Sequence, residues 1–448
     1  MTWKMRPSVW YTAAAIPGGL GLGYILAGPG LQRFIERSGV NIPTSDVVVD
    51  YAWGVGWACV LLLSIFLWPV SWRHKRLLAV GWLVKCFMAL VVMLPYEEHY
   101  WGADCWTYFQ RSHHSLTELS PHLMQGGADL VVWLGALQLK VGPDSYHAMK
   151  LSFGMIGLVA VYLFYRTAEL LLGRSSPIAF WAVLLYPSVL FWSSILGKDP
   201  LILAAIALHV WGLVNVAVWH KQWYLIALLG GIGAASAVRI WMGPILIVPS
   251  ILLLSARIRQ SGWRIAAIAL VGFALLVLAP ATIDRLRLDR AADLLQATRS
   301  VTDGWDRANS SLKLDVELNS TWDLLLFTPQ SVFIAYFRPL PGDVPNVFGW
   351  LAGFENLGLL VLSIWAAFRL RVACFRNHLF LWSLALLATW GLAYSVVAYK
   401  DLGTAVRFKL QILPILLGVI GYLVRRQPPR LAYRIPAKVG ARYVTPAA

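Results

Sequence analysis

Charge is scarce in this chain. Aspartate, glutamate, lysine and arginine make up 13% of its 448 residues, against 58% hydrophobic ones, and a soluble chain of this length needs far more polar surface to cover its core. A water-soluble globular fold is therefore excluded. Cysteine is sparse as well: Cys59, Cys86, Cys105 and Cys374 make no disulfide framework, because three sit in or beside apolar runs and Cys105 stands alone in a polar segment. They read as small hydrophobes. No internal repeat or low-complexity tract occurs. Lys4 and Arg6 lead into an apolar run without a clear cleavage site, which we read as a first membrane span rather than a cleaved leader.

What the chain has is apolar length. Mean hydropathy is +0.64, with 23 tryptophans. Runs near the ~20 residues that cross a hydrocarbon layer recur at roughly 9–28, 51–71, 77–95, 150–172, 178–196, 200–219, 223–239, 241–255, 264–282, 346–368, 378–397 and 408–424. They predict an all-α polytopic membrane protein with about twelve transmembrane helices. Arg239 and Pro244 interrupt the stretch at 223–255, which reads as two short helices or one broken helix.

The formal charge of +16 is distributed as a topology signal. Arg73, Lys75 and Arg76 share one connection; Arg257, Arg259 and Arg264 another; Arg369, Arg371 and Arg376 a third; and Arg425, Arg426, Arg430, Arg434, Lys438 and Arg442 follow the last span, with no acidic residue among these segments. All four fall on one side, which the positive-inside bias assigns to the cytoplasm. Nucleic-acid binding would need a soluble basic face, and none is present. The expected organisation is a helix bundle over 1–424, a basic cytoplasmic tail over 425–448, and two long extracytoplasmic loops at about 96–149 and 283–345 carrying interfacial helices. A bacterial inner (plasma) membrane is the expected location.

The outward loops hold the residues with chemistry. The first is acidic, with Glu97, Glu98, Asp104, Glu118, Asp129 and Asp144 against Arg111 and Lys140, and its apolar stretch at 122–140 predicts a helix lying in the interface. In Tyr96-Glu-Glu-His-Tyr-Trp-Gly-Ala-Asp104-Cys-Trp-Thr-Tyr108-Phe, a partly desolvated carboxylate ringed by aromatics is suited to take a proton from a hydroxyl, with Asp104 first and Glu97 and Glu98 next. The plain alternative is ordinary interfacial charge. Glu97, Glu98 and His99 also offer ligands to a divalent cation, without a distinctive spacing.

In the turn Gly197-Lys198-Asp199-Pro200, aspartate and proline suit a helix start, while Lys198 is an outward point charge suited to a phosphate. Arg239, Arg338, Lys400, Arg407 and Lys409 also stand at outer span ends. Each alone is as well explained by snorkelling; six on the side that should be poor in cations point to a lipid phosphate. Lys85 and His209 lie deep in spans. A transporter would use such groups, but a lysine can snorkel and a lone histidine is more often structural.

With Gly102-Ala-Asp104-Cys-Trp-Thr-Tyr108-Phe in its first large outer loop, the chain resembles the GT-C superfamily of integral-membrane glycosyltransferases. There an acidic residue of that loop is typically the catalytic base, and the sugar comes from a polyprenyl-phosphate carrier. In this chain the loop follows the third predicted span, whereas that superfamily often places it after the first. The resemblance implies Asp104, with Glu97 and Glu98, as catalytic; a polyprenyl-linked sugar as donor; and a glycan, lipid or protein as acceptor. Lys198, Arg239, Arg338, Lys400 and Arg407 would bind lipid phosphate. The alternatives are a polysaccharide polymerase or ligase using polyprenyl-diphosphate glycans, and a membrane transporter.

Overall fold

A computed structural model of the protein describes residues 28–99, 104–120, 126–219, 221–257, 265–266, 268–269, 271–278, 321–398 and 401–425. The first long helices are α1 (Val47–Ile65) and α2 (Trp72–His99). Short α3 (Asp104–Arg111) and α4 (Gly127–Val141) lead to α5 (Tyr146–Leu172). α6 (Pro177–Leu184) and α7 (Pro187–Trp192) precede α8 (Lys198–Trp219), followed by α9 (Leu225–Val238), α10 (Met242–Arg257) and α11 (Thr321–Phe337). The last described helices are α12 (Val347–Ala367), α13 (His378–Ala398) and a bent pair, α14 (Leu402–Lys409) and α15 (Leu413–Val424). Among the described residues no strand occurs.

Six of these helices are long and apolar enough to cross a membrane, or seven if the bent pair is one span. The protein is thus a multi-pass helical membrane protein. The expected windows at 51–71, 77–95, 150–172, 200–219, 346–368 and 378–397 correspond to α1, α2, α5, α8, α12 and α13, and the bent pair takes the last window. The run at 178–196 is divided instead: Pro187 lacks the N–H that would continue α6, and two helices of 8 and 6 residues result. The stretch at 223–255 is two helices meeting at Arg239–Trp241. At 14 and 16 residues they rise about 21 and 24 Å, short of a ~30 Å core. The predicted window 9–28 lies essentially outside the described residues, as do most of 264–282, the loop stretch 279–320 and the tail from 426. Two loop boundaries also move. α2 continues to His99, so Glu97 and Glu98 sit in its last turn, and the aromatic segment from Trp322 is the helix α11.

The described residues belong to two compact units. One comprises Met1–Ala160, Pro187–Ala204 and Ala237–Arg239; the other comprises Val161–Tyr186, Ala205–Ser236 and Ile240–Ala448. In the first, tryptophan N–H groups tie helices together where water cannot satisfy them: Trp82 Nε1 donates to Ala58 O at 2.9 Å, joining α2 to α1, and Trp57 Nε1 donates to Ser152 Oγ at 2.8 Å, joining α1 to α5. A π-turn at Met88–Val92 interrupts α2, and there Leu90 O accepts from the Tyr51 hydroxyl at 3.0 Å. α5 meets the turn after α7 at Gly157, where a Cβ would fall 2.1 Å from Ser193 O, so only glycine admits that approach.

In the second unit, α10 and α11 both pack on α13. Tyr336 donates to Leu387 O at 2.6 Å. Trp390 stacks on Tyr394 with centroids 4.7 Å apart and donates to Gln411 Oε1 at 3.0 Å. Trp241 Nε1 reaches the Tyr394 hydroxyl at 2.9 Å. These bonds satisfy polar atoms inside a bundle that has no hydrophobic drive to associate within lipid.

Candidate functional site

The C-terminal end of α2 and the first turns of α5 build a buried polar centre in the first unit. Tyr146, His147 and Lys150 project from the start of α5, where positions three and four apart share a face. Lys150 Nζ lies 2.9 and 3.1 Å from the two Glu97 carboxylate oxygens, both side chains being fully buried. Tyr146 donates to Glu97 Oε1 at 2.7 Å and contacts Cys105 Sγ at 3.2 Å, and the Lys150 ammonium lies 5.2 Å from the Tyr146 ring. Glu97 is thereby an ion-pair partner, engaged on both oxygens. Burial pushes the Cys105 thiol up to about 12, with the Glu97 charge adding to the effect, so this cysteine is held unreactive.

Beside this pair lies a second one. Asp50 of α1 accepts from the backbone N–H of Tyr146 at 2.7 Å and of His147 at 3.3 Å, and it is hydrogen-bonded to His147 Nδ1. His147 is fully buried, and its Nε2 has no hydrogen-bond partner among the described residues. The carboxylate fixes the ring's orientation and tautomer in the manner of an acid–histidine dyad.

Asp104 is exposed at the first position of α3, directly after the undescribed residues 100–103. Glu98 is half-buried, and its carbonyl accepts from Asn41 Nδ2 at 2.9 Å. Among the described residues no three metal-binding groups gather; Glu97 is instead committed to Lys150.

Next to these elements is the turn that begins α8. Lys85, for which both a role within the span and snorkelling were open, is fully buried and donates to Ser193 O at 2.8 Å, Ser193 Oγ at 2.8 Å and Ser194 Oγ at 3.0 Å. Three acceptors meet its three donors. Tyr96, in the last turns of α2, packs edge-on against Phe191 and Trp192 at 4.9 and 6.0 Å. Six residues beyond Trp192, Lys198 is half-buried and Asp199 fully buried, with Arg239 Nη2 3.6 Å from Asp199 Oδ1. Asp199, expected as a helix cap, thus draws Arg239 from the α9–α10 break to the Lys198 turn.

The remaining predicted cations belong to the second unit. Arg338 grips Asp343 through two bonds, Nε–Oδ2 at 2.7 Å and Nη2–Oδ1 at 2.5 Å, while Leu340 N donates to Oδ2 at 2.6 Å. Burial pushes the Asp343 carboxyl up, but these hydrogen bonds and the Arg338 charge outweigh it and hold the group below the usual carboxylate range. Lys409 is fully buried, 2.5 Å from Asn356 Oδ1, and Asn356 in turn donates to Pro339 O at 2.9 Å. Arg407 is half-buried on α14, whose start is capped by Asp401; Lys400 lies outside the described residues. His209 lies between Leu228 O at 3.3 Å and Ser250 Oγ at 3.0 Å, so both ring nitrogens are engaged within the second unit.

Sequence reasoning missed Asp50, His147 and Lys150. The available signal was their spacing: His147 and Lys150 stand three apart, just ahead of an apolar run, but the predicted span began at 150 and left 146–149 to a loop. No family model, curated protein or solved structure matches the chain.

Proposed function

We propose that this protein is a membrane glycosyltransferase of the GT-C type, moving a sugar from a polyprenyl-phosphate carrier to a hydroxyl acceptor on the extracytoplasmic face. The observation that carries the reading lies in the first unit. The Tyr96 contacts with Phe191 and Trp192 tie the helix end that leads to exposed Asp104 to the segment that leads to Lys198, Asp199 and Arg239. A carboxylate base and a cationic turn are thus carried by neighbouring elements.

In this mechanism Asp104 takes the proton of the acceptor hydroxyl. The acceptor oxygen forms the new bond to the anomeric carbon from the face opposite the carrier, the old C–O bond breaks, and its electron pair leaves on the lipid phosphate; the configuration inverts. Lys198 and Arg239 stabilise the growing phosphate charge at low dielectric. Glu97 acts by holding α2 to α5 through Lys150, not as the base. Loss of a positioned general base costs about 10²–10⁴ in rate, so Asp104→Asn is expected to lose turnover by that factor while still binding the lipid donor. The assay is donor consumption and donor binding by purified protein in nanodiscs; near wild-type turnover removes Asp104 from the role. Turnover only with a polyprenyl-diphosphate glycan would mark a polymerase or ligase.

One observation favours a transporter as the second reading: Asp50, His147, Lys150 and Glu97 are ionisable groups buried together within candidate spans, where such groups commonly carry protons or ions. Substrate-driven proton movement in liposomes, without donor turnover, would decide for it.

A further inference from the structure

In the second unit a groove of about 410 Å³ runs between α5, α6, α13 and α15, lined mainly by apolar side chains such as Phe164, Val183, Leu379 and Ile415. Two glycines of α15, Gly418 and Gly421, also line it, and a Cβ at either would meet nothing within 4 Å. Neither is therefore required by a close approach inside the protein, in contrast to Gly353, where a Cβ would lie 2.7 Å from Pro341 N. A larger side chain at 418 or 421 would project into the groove and narrow it, so these two glycines keep it open to an occupant.

Three features say what that occupant is. The α15 side of the lining extends from Pro414 to Arg425, about 17 Å of helix, close to one leaflet of a ~30 Å hydrocarbon core. One end of the groove is polar and basic: Arg425, Tyr422, Asn377 and Ser176 lie there at helix termini, and exposed Arg174 and Arg376 adjoin them in sequence. Trp382, one turn into α13, lines the groove at 5% exposure, and its indole N–H has no hydrogen-bond partner among the described residues. A buried indole N–H calls for an acceptor. A hydrocarbon chain offers none, whereas the neck of a glycerophospholipid carries ester and phosphate oxygens. We propose that the groove holds one acyl chain of an anionic glycerophospholipid, whose neck oxygens accept from Trp382 and whose head group is held by Arg425.

The test is native mass spectrometry of the full-length protein, loaded in nanodiscs of phosphatidylcholine with a minority of phosphatidylglycerol and released into detergent. The wild type is expected to retain one phosphatidylglycerol, enriched over its share in the disc. Gly418→Trp fills the groove and abolishes retention. Gly358→Trp keeps it, since that glycine on α12 is equally open but does not line the groove. Arg425→Gln lowers the preference for the anionic lipid about fivefold, the worth of one cation at a membrane surface. Should Gly418→Trp fail to fold, Trp382→Phe must still loosen the lipid. Equal retention of both lipids by the wild type, undiminished retention in the folded groove variants, or displacement by a polyprenyl phosphate at equal concentration would overturn the proposal.

Discussion

Breaking the Glu97–Lys150 pair one residue at a time should be far more damaging than removing it whole. The two side chains have 1% and 0% exposure, and the ammonium touches both carboxylate oxygens. Glu97→Gln preserves shape but leaves the Lys150 charge buried beside Tyr146; Lys150→Met leaves the Glu97 carboxylate with the Tyr146 hydroxyl as its remaining hydrogen-bond donor. An uncompensated buried charge costs about 3–5 kcal/mol, whereas replacing a buried pair by neutral groups of similar volume is often close to neutral. The double variant is therefore expected to recover most of either single loss, giving a coupling of about 3 kcal/mol or more. Asp50 and His147 must stay unchanged in all four proteins, because His147 feels the charges of both partners. The measurement is equilibrium unfolding of the purified chain in mixed micelles by denaturing detergent. A coupling below about 1 kcal/mol, the level of a solvated pair, would refute the placement of this pair in a dry interior.

Gly157→Ala drives a Cβ to 2.1 Å from Ser193 O and should cost about 1–3 kcal/mol as overpacking, while Gly233→Ala, inside α9 with nothing within 4 Å, should cost nothing and can gain up to about 1 kcal/mol of helix stability; detergent melts of the two compare them directly. Because the Asp343 carboxyl is held below its ordinary range, its contribution is present above the unfolded value of about 3.9 and is lost as pH falls below it. Melts between neutral and acid pH should show that loss, and Asp343→Asn should remove this part of the pH dependence. Cysteines placed at 74, 258, 373 and 430 should react with impermeant label only from the cytoplasmic side, and those at 115 and 310 only from outside; cytoplasmic labelling of 310 would reverse the orientation.

How far the polar residues were legible depended on what each one meets. Lys85 was visible as an ionisable group in an apolar run, but the choice between snorkelling and burial rested on Ser193 and Ser194, more than a hundred positions away. Glu97 was singled out for its charge and its place at a span end. Its pairing with Lys150 was not readable, because a span drawn from apolar length alone began at 150 and hid the polar face of α5. Asp199 suited a helix cap on local grounds, and only the approach of the α9–α10 break gave it Arg239. His209 was weighed as more often structural than functional on its isolation in an apolar run, and its contacts to Leu228 O and Ser250 Oγ come from helices the sequence could not place beside it.

The sequence by itself determined that the chain is helical and lives in a membrane. Hydrocarbon admits few unpaired polar groups, so a run of about twenty apolar residues has almost no other way to satisfy its backbone. It also marked the break in the stretch at 223–255, where Arg239 and Pro244 interrupt the apolar run. The break at Pro187 was missed, because apolar length alone joined 178–196 into one span although the missing N–H was a local signal. Which apolar runs form one long helix, which buried charges are neutralised, and which cations share a turn were decided by tertiary structure alone. Those outcomes depend on contacts between residues distant in sequence, and the energy of a buried charge is set almost entirely by whether its partner is within about 3 Å.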